Sequence, residues 1–296
     1  EISLGLVGSE MCIRDRLINM EKFSVLMSLY CKENPLYLNL ALKSVFEQTI
    51  SPDQVVLVLD GPVGKQLLAV VERFRKIYPS LDVYPQDNNQ GLSTALNIGL
   101  EKCRNEIVFR MDTDDLCYKN RFERTLEEYS RNSDLELVGS YATMMDEEGV
   151  EIKAMTVPVN QSEIYRQVWT CPFIHPTVSF KKSALLRVGS YNPNSGPRQD
   201  DYELWFRCVE NLIKCKNIEE PLLYYRFFKD SILRNTVKVG WWRAKVGLKG
   251  AWRCKCSPIA YVGVCYPLVR ACMPSLIREL MYKAADIINP RIKERS

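Results

Sequence analysis

With 296 residues, of which 46% are hydrophobic and 26% charged, the chain has the make-up of a folded globular protein and lies far from disordered or collagen-like compositions. Its formal charge of +4 is unevenly spread: residues 228–296 hold 14 Lys/Arg against 4 Asp/Glu, whereas residues 1–227 hold 26 against 32. Eleven cysteines, an odd number without Cys-x-x-Cys pairing, argue against a disulfide framework and a cysteine zinc site and point to a reducing, cytoplasmic compartment.

Residues 1–19 lack the charged start and apolar core of a signal peptide. They resemble a translated sequencing adapter, so we expect a non-native extension with Met20 as the start of the fold. From Phe23 the pattern alternates. Phe23–Tyr30 predicts a buried strand, Pro35–Gln48 a helix with Leu38, Leu42, Val45 and Phe46 on one side, and Gln54–Leu59 a second buried strand. A helix over Lys65–Tyr78, a strand over Leu81–Pro85, a helix over Leu92–Cys103 and a strand over Glu106–Met111 follow. Such alternation predicts an α/β fold with a mostly parallel central sheet flanked by helices, whose ligands bind beyond the carboxyl ends of the strands. Past the acidic turn the pattern predicts a helix over Tyr118–Ser130, strands over Val138–Met145 and Thr177–Phe180, and a helix over Tyr202–Glu210 opened by Asp200-Asp201. From residue 228 onward a helical, basic segment is expected, with aromatics interleaved as in Trp241-Trp242-Arg243. Its apolar run Ile259–Val269 is shorter than the ~20 residues a bilayer span needs. A basic, aromatic tail suits an anionic inner-leaflet surface; a helical subdomain packed on the main domain is the alternative.

Asp112-Thr113-Asp114-Asp115 directly follows an apolar strand. Carboxylates so close repel one another unless a cation lies between them, and Mg²⁺ or Mn²⁺ joined to a diphosphate is the common solution. A calcium loop would need Gly where Cys117 stands; a solvated helix N-cap is the plainer alternative. Asp60, at the end of the second strand, is placed to meet a ribose or base, or simply to make the turn with Gly61-Pro62. Asp200 and Asp201 open a helix whose dipole favours negative charge; either both only cap that helix, or one caps and the other faces a cleft as a base. His175, the only histidine, sits beside Pro176 as either a structural residue or part of an active-site loop.

Taken in order, several blocks resemble the family 2 glycosyltransferases of the GT-A fold, in particular bacterial enzymes of exopolysaccharide, capsule and lipopolysaccharide synthesis such as the amylovoran type. The blocks are Ser24–Tyr30, Leu42–Thr49, Val58–Gly61, Asn89–Gly99, Met111–Asp115, His175–Val178 and Asp200–Trp205. The resemblance covers residues 23–227; it departs from the usual pattern at Ser28, Leu59 and Leu96. It implies a GT-A domain over 20–227; the boundary at 228 rests on the charge shift alone, and for the helical basic segment 228–296 the composition leaves membrane association from the cytoplasmic side and packing on the main domain both open.

It further implies an inverting transferase that takes a sugar from a nucleotide sugar, a UDP-sugar by expectation, to a saccharide or lipid-linked saccharide. Asp201 would be the catalytic base. Ser28, Tyr30, Glu33, Asp60, Asn89, Gly91, Asn97 and Asp114 would contact the donor, Asp114 and Asp115 would hold Mn²⁺ or Mg²⁺, and His175 and Asp200 would belong to an acceptor or active-site loop. No nucleic-acid partner is expected. The other readings are a sugar-phosphate nucleotidyltransferase, which would need a glycine-rich loop that Phe23–Asn34 lacks, and a non-catalytic carbohydrate-binding protein.

Overall fold

The computed structural model describes residues 21–228, 235–274 and 277. The extension over 1–19 and the last stretch of the basic segment lie outside the described residues. Strand β1 (Phe23–Leu29) is buried at every position but Ser28, and β2 (Gln54–Leu59) throughout. A strand without a polar face must be covered on both sides. Helices α1 (Pro35–Phe46) and α2 (Lys65–Ile77) cover one face through Val25, Met27, Leu29, Val55 and Leu57. Helix α3 (Leu92–Lys102) covers the other through Leu26, Val56 and Val58. That approach is close enough to require glycine: a Cβ on Gly99 would stand 2.3 Å from Leu26 Cδ1 and 3.0 Å from Val58 Cγ2.

Strand β3 (Leu81–Pro85) pairs with β2, β2 with β1, and β1 with β4 (Ile107–Arg110), all in parallel. The carboxyl ends of these strands share one rim, so Tyr30–Asn34, Asp60 and Asp112–Asp115 emerge on the same side of the sheet.

The second half completes a nine-stranded sheet in the order β3-β2-β1-β4-β8-β6-β9-β5. Here β5 is Leu116–Cys117, β6 Leu137–Met145, β8 Ser179–Lys181 and β9 Cys215–Arg226, while β7 (Glu151–Met155) forms a hairpin on β6. β8 runs antiparallel to both β4 and β6, and β9 runs parallel to β6. Helix α4 (Arg121–Arg131) follows the acidic turn, and short helices α5 (Gln161–Arg166) and α6 (Lys182–Arg187) precede α7 (Asp200–Glu210).

Two further helices, α8 (Val237–Arg253) and α9 (Pro258–Cys272), form an antiparallel hairpin seated on α7 and on the short 3₁₀ turn Val168–Thr170. Gly250 lies under the Phe206 ring, Gly247 against Tyr202 and Val264, and Gly263 against Trp169, so small residues set the depth of the docking.

β9 has no counterpart in the sequence expectations. Lys216, Glu219, Glu220 and Pro221 interrupt its alternation, and the register against β6 slips around Tyr141. Such a bulged strand hides a period of two. The expected strand over Thr177–Phe180 begins two residues later, because His175–Thr177 is a 3₁₀ turn.

Candidate active site

Beyond β4 the chain turns through Asp112, Asp114 and Asp115, and carboxylate oxygens of the three lie within 4.8 Å of one another. Among the described residues this is the only such grouping of His, Cys, Asp or Glu. Buried cations hold the turn. Arg110, almost fully enclosed, ion-pairs with Asp112. Arg121, fully buried at the start of α4, donates to the carbonyls of Arg110 (2.7 Å) and Pro176 (2.8 Å) and reaches the sulfurs of Met111 and Cys117. Arg226, the last residue of β9, donates through its amide to Asp115 Oδ1 (2.7 Å) and through Nε to the Asp114 carbonyl (2.9 Å). Its Nη1 bonds the carbonyls of Asp146 and Glu147, and its guanidinium stacks 4.2 Å from the Tyr37 ring centroid.

These contacts leave a carboxylate oxygen unsatisfied, along with Arg110 Nε and Arg121 Nε. Asp115 Oδ2 is buried without a hydrogen-bond partner, a costly state for a carboxylate. Burial, and then the neighbouring Asp114 and Asp112 charges, push the Asp115 carboxyl well above the usual range. Burial and Asp112 likewise push Asp114 up to about 7. A divalent cation with oxygen ligands removes both penalties, so this donor set fits Mg²⁺ or Mn²⁺.

The turn forms one wall of a cleft of about 220 Å³, also lined by Tyr30, Glu33, Tyr37, Arg198, Tyr225 and Arg226. Asp201, in the first turn of α7, is not among the residues that line this cleft. The partly buried phenol of Tyr225 has its pKa raised first by burial and then by the charges of Asp115, Asp112, Asp114 and Asp201. Oδ1 of Asp201 accepts from the Tyr202 amide (2.7 Å), and Oδ2 faces Cys171 Sγ at 3.7 Å. Asp200 accepts from Ser93 Oγ, and burial raises its pKa.

The expected donor residues divide in two. Tyr30, Glu33 and Asp114 line the cleft. Asp60 is not among the residues lining this cleft; its two carboxylate oxygens accept from the amides of Gln90 (2.7 Å) and Gly91 (3.0 Å), and Asn89 Nδ2 donates to its carbonyl. Asp60 therefore shapes the Asn89–Gly91 loop at the start of α3. Asn97 bonds the Tyr191 backbone, donating from Nδ2 to its carbonyl (2.8 Å) and accepting at Oδ1 from its amide (2.9 Å). Ser28 lies behind the acidic turn, where its carbonyl faces Thr113 Oγ1 at 3.5 Å. His175 Nε2 pairs with Tyr191 Oη at 2.9 Å, and its pKa is lowered by desolvation and by Arg110, which leaves it neutral at pH 7. Sequence reasoning missed Arg110, Arg121, Arg198, Tyr225 and Arg226; the first two lay at positions that read as strand end and solvated helix.

The profile of glycosyl transferase family 2 matches residues 24–188, more than half of the chain. The chain belongs to this family. It is a glycosyltransferase, and the nucleotidyltransferase and non-catalytic readings fall away. It is 35% identical over 217 residues to the UDP-Gal:alpha-D-GlcNAc-diphosphoundecaprenol beta-1,3-galactosyltransferase of Escherichia coli, covering 72% of this chain and 77% of that protein. It is 36% identical over 234 residues to the amylovoran biosynthesis glycosyltransferase AmsE of Erwinia amylovora, covering 77% and 86%. Among solved structures, S. aureus TarS 1–349 in complex with UDP superposes with a TM-score of 0.62 at 15% identity, over 90% of this chain and 79% of that one. A mannosyltransferase from Pyrobaculum calidifontis in complex with GDP-Man and Mn²⁺ gives 0.61 at 14% identity, over 94% and 87%. These likenesses place the fold among the GT-A glycosyltransferases, as the strand pattern and its resemblance led us to expect.

Proposed function

We propose that the protein is an inverting glycosyltransferase that moves a sugar from a UDP-sugar to a saccharide carried on a lipid, at the cytoplasmic face of the inner membrane, in the assembly of an exopolysaccharide, capsule or lipopolysaccharide. The observation that carries this reading is the unpaired, buried Asp115 Oδ2 within a cluster of three carboxylates at the carboxyl rim of the sheet. Support for the donor and acceptor comes from the names of the Escherichia coli and Erwinia relatives.

Asp114 and Asp115 would hold Mn²⁺ or Mg²⁺. Bound there, the cation supplies charge neutralisation for the departing diphosphate, worth several kcal/mol in such reactions. The chain's own residues do the rest. Tyr30 and Glu33 flank the nucleotide end of the cleft, and Arg226 holds the acidic turn rigid so that its oxygens keep their spacing. Arg198, exposed beside the cluster, offers a second positive charge to the diphosphate. Asp201 takes the proton of the acceptor hydroxyl as that oxygen attacks the anomeric carbon; the new O–C bond forms while the bond to the diphosphate oxygen breaks on the opposite face. One base suffices, because a nucleoside diphosphate leaves without protonation. Asp200, bonded to Ser93, and neutral His175, bonded to Tyr191, fix the loop and helix that present Asp201.

The test is to incubate the protein with Mn²⁺, a panel of UDP- and GDP-sugars and a lipid-diphosphate-linked saccharide, and to read the anomeric configuration of the product by NMR. Transfer with inversion from a UDP-sugar is expected. A retained anomer, or transfer that persists in EDTA, contradicts the proposed chemistry.

A further inference from the structure

The α8–α9 hairpin exposes a surface that its packing does not use. Residues 237–272 contain seven Lys or Arg and not one Asp or Glu. At about 100° per residue, α8 divides into three strips. Gly240, Ala244, Gly247, Gly250 and Ala251 face the body of the protein. Val237, Leu248, Trp241 and Trp252 follow around the helix and are exposed, Trp252 at 73%. Lys238, Lys245, Lys249 and Arg253 complete the turn, also exposed. Helix α9 buries Ala260 and Val264 and leaves Ile259 67% and Val262 73% exposed. The antiparallel pairing leaves exposed apolar residues on both helices, and on α8 the basic strip borders the apolar one.

Large apolar side chains held this far out of the fold mark a surface that meets something. A second copy of this chain would bring the same cations against it. We propose that this face docks on the anionic surface of a lipid bilayer, with Trp241, Trp252, Ile259 and Val262 entering the interface and Lys238, Lys245 and Lys249 meeting the headgroup phosphates, while Arg253 pairs with Glu210 of α7. Among the described residues no helix is long and apolar enough to cross a membrane, and the segregated strips suit a helix lying in the interface plane. The hairpin is also joined to the catalytic side. Lys245 Nζ sits 4.7 Å from the Trp242 ring centroid, and Trp242 packs so tightly on Gly196 that a Cβ there would fall 2.4 Å from the indole. Gly196 lies in the loop that carries Arg198 and leads into Asp200 and Asp201. Docking would thus fix the height of the acceptor loop above the lipid surface. The docking rests on the hairpin alone; its service to a lipid-linked acceptor rests on the transferase reading above.

The experiment is co-sedimentation of the full chain with vesicles of phosphatidylcholine plus phosphatidylglycerol, compared with phosphatidylcholine alone, at low and high salt. Two variants accompany it, one carrying Lys238→Glu, Lys245→Glu and Lys249→Glu, the other Trp252→Ser and Val262→Ser. The wild type is expected to prefer the anionic vesicles, with an affinity that falls as salt rises. The charge variant should bind them roughly a hundredfold more weakly, the apolar variant at least tenfold more weakly, and brominated lipid should quench tryptophan fluorescence in the wild type. Equal binding to both vesicle types, full binding by both variants, or a dimer that ignores vesicles would overturn the proposal. Thermal unfolding and Mn²⁺-dependent UDP binding, read on the same samples, report folding. Loss of UDP binding alone in the wild type would count against the donor reading and leave the docking face intact.

Discussion

Replacing Asp114 by Asn gives a prediction with a worked sign. In the metal-free protein burial, and then Asp112, raise the Asp114 carboxyl from its ordinary 3.8 to about 7. The folded chain therefore keeps this proton between pH 4 and 7 while the unfolded chain releases it. Stability contributed at this site must fall as pH rises through that window, by about 1.4 kcal/mol per pH unit, and level off above it. Across the window the ionised carboxylate costs on the order of 4 kcal/mol. Asp114→Asn has no proton to lose. In EDTA it should match the wild type near pH 4 and exceed it at pH 8 by an amount equivalent to roughly 10 °C in Tm. Excess Mn²⁺ should raise the wild type at pH 8 more than the variant, which keeps only one of the two carboxylates that would hold the ion. Differential scanning calorimetry from pH 4 to 8, with EDTA and with Mn²⁺, makes the comparison. A variant no more stable than wild type at pH 8 in EDTA, or a difference that ignores pH, would refute the electrostatic reasoning.

Other substitutions probe the framework around the turn. Arg226→Ala removes side-chain bonds to Asp114, Asp146 and Glu147 and should cost about 3 kcal/mol in denaturant unfolding and at least tenfold in Mn²⁺-dependent UDP affinity; Lys should not restore it, since only a guanidinium reaches all three carbonyls. Gly61→Ala forces a side chain onto a backbone at φ +85° and to within 2.6 Å of the Asn89 amide nitrogen. It should displace the Asn89–Gly91 loop, lowering stability by about 2 kcal/mol or more in the same unfolding assay. Gly99→Ala drives a methyl into Leu26 and Val58 and should cost about 1–3 kcal/mol while leaving UDP affinity near wild type. Tyr191→Phe strips His175 Nε2 of its partner and should destabilise by about 1–3 kcal/mol; unchanged stability would show that water replaces the phenol.

The first half of the fold was legible because its central strands, buried on both faces, read as unbroken apolar runs, as Gln54–Leu59 does; the partly exposed edge strand Leu81–Pro85 also falls where the pattern put it. The acidic turn was legible for the same reason, since a carboxylate cluster stands out directly after Ile107–Arg110. What escaped has a physical cause. β9 is bulged and half exposed, so Tyr225 and Arg226 at its end gave no sign that they would close the cleft. Arg121 opens a helix rich in Glu and Arg, where sequence predicts a solvated cation; only the tertiary structure turns it inward onto the Arg110 and Pro176 carbonyls. Asp60 was placed at the correct rim, yet the neighbouring loop amides, remote in sequence, occupy its carboxylate.

The most direct measurement is calorimetric titration of UDP into the wild type, Asp115→Asn and Asp201→Asn, each with Mn²⁺ and with EDTA. If the acidic turn holds a cation against the diphosphate and Asp201 acts only on the acceptor, the wild type and Asp201→Asn bind UDP alike and only with Mn²⁺, Asp115→Asn loses that binding, and neither variant transfers sugar. UDP binding that is indifferent to Mn²⁺, or equally weakened in both variants, would contradict the division of roles between the acidic turn and Asp201.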